Sequence, residues 1–171
     1  MSNKKHINIL ELKWRSDGDN VYVETERDIL EELRPHENLK ELFIEGYRGE
    51  IFPDWLGLSS YSNITMLRIY LCKNCRELPS LGQLPSLQHL KIFGLHGLER
   101  IGEEFYQNVE SCHEGTGTPF RSLETLEFRR MNGWREWHTP DKLDPFPKLK
   151  TLIMRHCPVL RGDLPARLPA L

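Results

Sequence analysis

The sequence predicts an α/β solenoid, in which short parallel strands stack and are joined by irregular or short-helical segments. Three observations support this prediction. A short apolar phrase occurs six times, successive copies begin 23 to 36 residues apart, and apolar residues alternate with other types inside each phrase. One such unit cannot bury its own apolar side, so the units must stack until a continuous core forms.

The stretch from Ile64 to Ile101 contains the two clearest copies of the phrase. Ile64, Leu67, Ile69 and Cys72 form the pattern Lxx-LxL-xxC, and the pattern recurs 23 residues later with leucine in the last place. Repeats of 20–29 residues with this pattern are typical of leucine-rich repeats. We therefore expect a horseshoe with a parallel sheet on the concave side and an irregular or short-helical convex side. The other four copies begin at Ile7, Leu39, Leu123 and Leu149.

The first repeat is the least regular. HINILELKW alternates like a strand, and TERDILEELRP predicts a short helix that Thr25 caps and Pro35 ends. Ile29, Leu30 and Leu33 are expected to share the buried face of that helix.

The fourth connection is longer than the others because 36 residues separate Leu87 from Leu123. The excess is an atypical insertion at residues 102–119. Its first half is compatible with one or two helical turns, and Glu114 to Pro119 is rich in Gly and Thr and is expected to be mobile. Residues 1–171 are thus expected to form a single domain of about six repeats, truncated at the C-terminal end.

Composition excludes several classes of protein. The chain has 171 residues, 39% hydrophobic and 28% charged, which is typical of a globular domain rather than a disordered one. The formal net charge of −2 indicates neither nucleic acid nor a membrane surface as a partner. The start, MSNKKHINIL, has no apolar segment of signal-peptide length, and we expect a cytoplasmic protein.

Cys72 and Cys75 form a CxxC pair, which could be half of a zinc site or a redox pair. No second pair stands at metal-ligand spacing, and Cys72 and Cys157 occupy the same position of the repeat. We therefore favour a structural role, since free cysteine packs as a small apolar residue. HExxH, GxSxG and GxxxxGK[ST] motifs are absent from the sequence. We expect no enzymatic activity, no catalytic or metal-binding residues and no cofactor.

The concave face is the candidate binding surface. Residues between the inward leucines point outward, because strand side chains alternate. The first full strand is acidic on this face, and later strands carry Arg, Lys and aromatic residues, which are enriched at binding hot spots. The candidate partner-binding residues are Glu41, Phe43, Glu45, Arg68, Tyr70, His89, Lys91, Phe93, Glu127, Arg129 and Arg155.

Several longer phrases resemble one known family. CRELPSLGQLPSLQHLKIFGLHGLERIGEEFY, PFRSLETLEFRRMNGWREW and FPKLKTLIMRHCPVLRGDLPARLP resemble the C-terminal repeats of plant coiled-coil-type nucleotide-binding leucine-rich-repeat disease-resistance proteins. FPDWLG and LEELRPHENLKELFI are similar to the same family. The resemblance implies an intracellular immune receptor whose repeats sense a pathogen effector or a guarded host protein. It also implies that the repeats hold the nucleotide-binding domain inactive.

The sequence lacks the nucleotide-binding domain and the coiled coil of that family, so we expect a fragment, a truncated gene product or an excised domain. Both ends look uncapped, and we expect partial aggregation or fraying of the isolated chain. Three functions remain open. The chain is a recognition module, a regulatory element whose partner is the absent nucleotide-binding domain, or the substrate-binding repeat domain of a ubiquitin-ligase receptor. A generic repeat scaffold is a fourth possibility. No F-box-like helical segment accompanies the repeats, which places the ubiquitin-ligase function behind the first two.

Overall fold

A computed structural model describes residues 7–15, 23–107, 117–141, 144–162 and 164, with the backbone alone for residues 23–25. Within these residues the chain forms one six-stranded parallel sheet, whose strand order follows the sequence, and a second, two-stranded parallel sheet. The large sheet consists of β1 (Ile9–Lys13), β2 (Glu41–Glu45), β3 (Met66–Tyr70), β4 (His89–Phe93), β6 (Thr125–Arg129) and β8 (Thr151–Arg155). The small sheet pairs β5 (Arg100–Ile101) with β7 (Glu136–Trp137).

The six strands pair with equivalent repeat positions opposite one another. Leu42 pairs with Leu67, and the same row continues through Leu90 and Leu126. These four side chains are fully buried, and Leu10 and Leu152 extend the row at its two ends, where they are partly buried. The sequence prediction of one stacked leucine row is therefore confirmed. Because strand side chains alternate, the register also places every intervening residue on the opposite face.

Within the described residues, five of the six strands of the large sheet are followed by a residue with a left-handed backbone conformation. Positive φ angles occur at Gly46, Leu71, Gly94, Arg130 and His156, with values between 52° and 75°. The first four of these amides donate to a carbonyl of the next strand, so the hydrogen-bond ladder extends one residue past the strand end. The left-handed residue then directs the chain into the turn, and the following residue enters the core.

A common turn follows in four repeats. The amide of Cys75 donates to the carbonyl of Cys72, and the same bond three residues apart joins Leu98 to Leu95 and Trp134 to Met131. Leu160 and Cys157 form a longer version of this bond, 3.4 Å from nitrogen to oxygen. Both residues of each turn therefore belong to repeat positions that face the core.

The side of the core opposite the large sheet is irregular, as predicted. In the part of the chain that the structure describes, three 3₁₀ helices lie there, at Asp54–Gly57, Leu81–Gln83 and Glu103–Phe105. Buried aromatic rings pack between them and the later repeats, and the Trp137 Nε1 donates to the Tyr106 hydroxyl at 2.7 Å. Burial raises the pKa of the Tyr106 hydroxyl, so this hydroxyl remains protonated and accepts the indole proton.

The helix of the first repeat, α1 (Val23–Glu32), differs from the sequence prediction. Thr25 lies within its first turn instead of preceding it, and Ile29 and Leu33 are each 43% exposed. The buried residues are Leu30 and, unexpectedly, Glu26, which is 2% exposed.

The Glu26 carboxylate accepts a bond from the Arg48 amide at 2.7 Å and pairs with the Arg48 Nε at 3.4 Å. Trp55 donates its indole Nε1 proton to the Leu30 carbonyl at 3.1 Å. Leu30 lies near the end of the helix, where carbonyls lack partners within the helix. These tertiary bonds, rather than apolar periodicity alone, select the face of α1 that is buried.

The insertion at residues 102–119 is partly described. Its beginning contains the 3₁₀ helix Glu103–Phe105, which confirms the expected helical turn, and Phe105 and Tyr106 are fully buried. Pro119 is also buried, so the end of the predicted mobile segment is packed. Residues 108–116 and most of the final DLPARLPAL segment lie outside the described residues.

Candidate functional site

The exposed sheet face is formed by the outward side chains of the large sheet. All eleven candidate residues proposed from the sequence lie on it, in three rows that run across the strands. Glu41 and His89 share the first row, Phe43, Arg68, Lys91 and Glu127 the second, and Glu45, Tyr70, Phe93, Arg129 and Arg155 the third.

Aromatic rings and arginines contact one another at the centre of this face. The rings of Tyr70 and Phe93 pack with their centroids 5.6 Å apart. The Arg130 guanidinium lies 5.5 Å from the centroid of Phe93, and the Arg68 guanidinium lies 4.5 Å from that of Phe43. A cation held over an aromatic ring is attracted by the negative face of the ring.

Glu127 lies between two cations on the exposed sheet face. Its carboxylate pairs with the Lys91 Nζ at 3.9 Å and with the Arg129 Nε, and the residue is only 7% exposed. Its covered position differs from the surface contact expected from the sequence. We infer that Glu127 positions Lys91 and Arg129, which are themselves about one third accessible.

These side chains surround a shallow depression of about 340 Å³. Six residues form most of its lining and define what we call the central depression: Tyr70, Leu71, Lys91, Phe93, Glu127 and Arg129. The walls combine two aromatic rings and one leucine with two cations. Such a lining can hold an apolar side chain and an adjacent anion.

Six candidates lie outside the central depression, and two of them, Phe43 and Arg68, form the cation–aromatic pair on β2 and β3. Glu41 and Glu45 are on β2, which pairs directly with β3, and they give that part of the face its acidic character. His89 stands at the first position of β4, and Arg155 is exposed at the last position of β8. The structure therefore brings Tyr70, Lys91, Phe93, Glu127 and Arg129 together and leaves the other six candidates around them.

Sequence reasoning omitted two contributors from the candidate residues. Leu71 lines the depression and is 38% exposed, and Arg130 covers Phe93. Both occupy the left-handed position immediately after a strand. Glycine at the same position of other repeats, Gly46 and Gly94, was the available signal that the chain turns there.

The CxxC pair belongs to the core. Cys72 and Cys75 are fully buried, and they occupy the positions that Leu95 and Leu98 fill in the next repeat. Burial raises the pKa of the Cys72 thiol to about 12 and raises that of Cys75 as well. A buried, protonated thiol is neither a good nucleophile nor a metal ligand, so the structural role predicted for Cys72 is supported.

Metal-binding clusters and membrane-spanning helices are both absent from the described residues. Across that part of the chain, no three His, Cys, Asp or Glu side chains gather in a group that could hold a metal ion. Within the same ranges, no helix has the length and apolar character needed to cross a membrane.

Comparison with known proteins decides the family. The R13L1/DRL21 LRR family matches residues 1–95, which is more than half of the chain. The chain belongs to the R13L1/DRL21 LRR family. Its match covers the first four strands of the large sheet, and therefore includes Phe43, Tyr70 and Phe93.

Curated relatives extend this R13L1/DRL21-type similarity to the whole chain. Disease resistance RPP13-like protein 1 of Arabidopsis thaliana is 41% identical over all of the chain, which spans 17% of that protein. Disease resistance protein At3g14460 of the same plant is 37% identical over 99% of the chain and 12% of its own length. Disease resistance protein RGA2 of Solanum bulbocastanum is 32% identical over 94% of the chain and 16% of its own length.

These comparisons confirm the resemblance to plant disease-resistance proteins that the sequence phrases indicated. The chain corresponds to less than one fifth of the length of each of these relatives. No solved structure matches the chain.

Proposed function

We propose that this chain is a non-catalytic protein-recognition and autoregulatory leucine-rich-repeat module of a plant intracellular immune receptor, acting in defence against pathogens. One observation carries the proposal. The in-register strands assemble aromatic and basic side chains from β3, β4 and β6 into one accessible cluster on the exposed sheet face. Such residue types dominate binding energy at protein interfaces, and the surface of a stacked sheet is where repeat proteins commonly bind.

The proposal includes the form of the molecule. Residues 1–171 form one leucine-rich-repeat domain, and the large sheet curves so that the exposed sheet face is concave. Curvature follows if the irregular connections occupy more width per repeat than the closely spaced strands. Small-angle X-ray scattering tests this curvature, because a flat stack of the same length gives a different distribution of interatomic distances.

Two kinds of partner follow from the similarity to disease resistance proteins. One is a pathogen effector or a guarded host protein, and the other is the nucleotide-binding domain of the parent receptor in the cytoplasm. The acidic β2 end and the basic β4–β8 end of the exposed sheet face could dock complementary patches of either partner. Charge complementarity of this kind makes binding sensitive to salt.

The autoregulatory partner offers a direct experiment. The coding region upstream of this sequence is read for a GxxxxGK[ST] motif in the same frame, and the domain containing it is co-expressed with the chain. We expect a complex at low salt that dissociates as salt increases. Changing Arg68, Tyr70, Lys91 and Phe93 together to alanine should abolish the complex while the far-UV circular dichroism spectrum stays unchanged.

A matched quadruple variant provides the control. Lys73, Arg76, Ile51 and Val159 are exposed residues outside the central depression. Their replacement by alanine also removes two positive charges and two hydrophobic side chains, and it should leave the complex intact. Absence of any complex at low salt would contradict autoregulation through this face. Equal loss in both quadruple variants would contradict the assignment of binding to the exposed sheet face.

A further inference from the structure

We propose that the central depression binds an acidic segment of a partner protein, in which a carboxylate-bearing residue stands next to an apolar one. The carboxylates pair with Lys91, Arg129 and Arg130, and the apolar side chain packs against Tyr70 and Phe93. This inference rests on the proposed function, because it names the chemistry of the partner at the same face.

Three cations surround the central depression. Lys91 and Arg129 share the single carboxylate of Glu127, so one negative charge faces two positive charges. Arg130 adds a third cation, which is exposed at the edge of the depression and is held over Phe93. The site therefore keeps an excess of positive charge, and an incoming carboxylate neutralises it with charge-assisted hydrogen bonds.

The central depression also has an apolar surface. Leu71 is 38% exposed beside the Tyr70–Phe93 ring pair, in a depression of about 340 Å³. That volume lies at the lower limit of pockets that hold small ligands, and it suits one or two side chains rather than a folded element. An isolated carboxylate would leave this apolar surface in water, so the segment needs an apolar neighbour to bury it.

The order of charges on the exposed sheet face gives the segment a direction. Glu41 and Glu45 on β2 repel carboxylates at one end, whereas β6 and β8 end in Arg129 and Arg155. Acidic residues of the segment should therefore lie over β4 to β8. Any basic residues of the segment should lie toward β2.

Single-stranded nucleic acid also binds surfaces that combine cations and aromatic rings, but this site fits it poorly. Base stacking requires open ring faces along a basic groove. The Phe93 ring already packs against Tyr70 and lies beneath the Arg130 guanidinium, and the Phe43 ring is covered by Arg68. The net charge of the chain is −2, which provides no broad attraction for a phosphate backbone.

A peptide selection tests the chemistry without a known partner. The full chain is immobilised, and a random library of peptides about twelve residues long is selected on it at low salt, a condition that preserves electrostatic contacts. We expect enriched peptides to contain Asp or Glu adjacent to Phe, Leu, Trp or Tyr. The same selection on the Arg129→Glu/Arg130→Glu variant should lose these peptides and enrich Lys- or Arg-containing ones instead.

Matched variants separate the site from general electrostatics. Lys73→Glu/Lys148→Glu makes the same charge change at exposed positions outside the depression and should keep the original peptides. The single variant Arg130→Glu covers the case in which the double variant does not fold, because Arg130 is exposed. It should weaken the selected peptides about tenfold, equivalent to roughly 1.4 kcal/mol.

Three results would overturn the inference: no enriched peptide, enriched peptides without acidic residues, or equal binding to the wild type and to the depression variants. Tighter binding of an oligothymidylate than of the selected peptides would assign the site to nucleic acid. These failures are distinguishable from failure of the proposed function, because a salt-sensitive complex with the nucleotide-binding domain does not depend on the composition of peptides that bind this depression.

Discussion

At the scale of single residues, one repeat position has a left-handed backbone conformation and ends five of the six described strands of the large sheet. Leu71, Arg130 and His156 accept a left-handed conformation that costs a non-glycine residue about 1–2 kcal/mol. Two of these residues contribute side chains to the candidate binding surface: Leu71 lines the central depression, and Arg130 covers Phe93. Placing functional side chains on strained backbone is a common feature of binding sites.

Gly46 tests the importance of this position. Its φ is +75°, and an added Cβ would stand 2.9 Å from the Trp14 carbonyl oxygen. We expect Gly46→Ala to lower the free energy of unfolding by at least about 1–2 kcal/mol, measured by urea denaturation. Gly117→Ala is the matched control, because a Cβ there meets nothing within 4 Å. Equal destabilisation by the two variants would contradict the proposed strain.

Buried thiols and phenols make stability depend on alkaline pH. Burial raises the pKa of Cys72 from its ordinary value of 9.0 to about 12, and that of Tyr47 from 10.0 to about 12. The pKa values of Cys75, Tyr61 and Tyr106 are also raised. Above about pH 9 the unfolded chain releases protons that the folded chain retains, so the free energy of unfolding must decrease as pH rises.

We therefore expect the urea midpoint to fall steadily between about pH 9 and pH 11. The Tyr47→Phe variant should be less stable at neutral pH, because the Tyr47 hydroxyl donates to the Ile51 carbonyl at 2.9 Å. It should nevertheless show a shallower dependence on pH, since one shifted phenol is gone. A midpoint that stays constant over this range would contradict the burial of these groups.

At the scale of elements, helix α1 shows how tertiary bonds override a sequence pattern. Ile29 and Leu33 have the spacing of a buried face, yet both are 43% exposed. The helix instead buries Leu30 and Glu26, whose backbone carbonyl and carboxylate meet donors from Trp55 and Arg48. A buried carboxylate without such partners would cost several kcal/mol, so the helix and the loop after β2 are energetically coupled.

Glu26→Ala should remove this coupling. Arg48 would lose its ion pair and its amide would lose an acceptor, so we expect a loss of about 2–4 kcal/mol of unfolding free energy. Thermal and urea denaturation give the measurement. Asp28→Ala provides a control on an exposed residue of the same helix, and it should change stability by less than about 0.5 kcal/mol. If Glu26→Ala lowered the free energy of unfolding by less than about 0.5 kcal/mol, the Glu26–Arg48 pair would not hold α1 in place.

At the scale of the whole molecule, the sequence was sufficient to predict the large sheet but not every contact in the candidate site. The leucine row through Leu42, Leu67 and Leu90 could be predicted because apolar alternation and a repeat period together determine the register. The burial of Glu127 could not be predicted, because it depends on contact with Lys91 of the neighbouring strand. Gly46 and Gly94 indicated that the chain turns at the position of Arg130, but they could not show that the arginine side chain covers Phe93.

Every functional statement depends on the register of the large sheet, since a slip of one residue would send Tyr70, Lys91 and Phe93 to different neighbours. Scalar couplings across hydrogen bonds, measured by NMR on the isotope-labelled chain, test this most directly. We expect couplings from the amide nitrogens of Leu71 and Gly94 to the carbonyl carbons of Phe93 and Arg129, respectively. Couplings from the same amides to carbonyls one residue earlier or later would contradict the register and the binding face built on it.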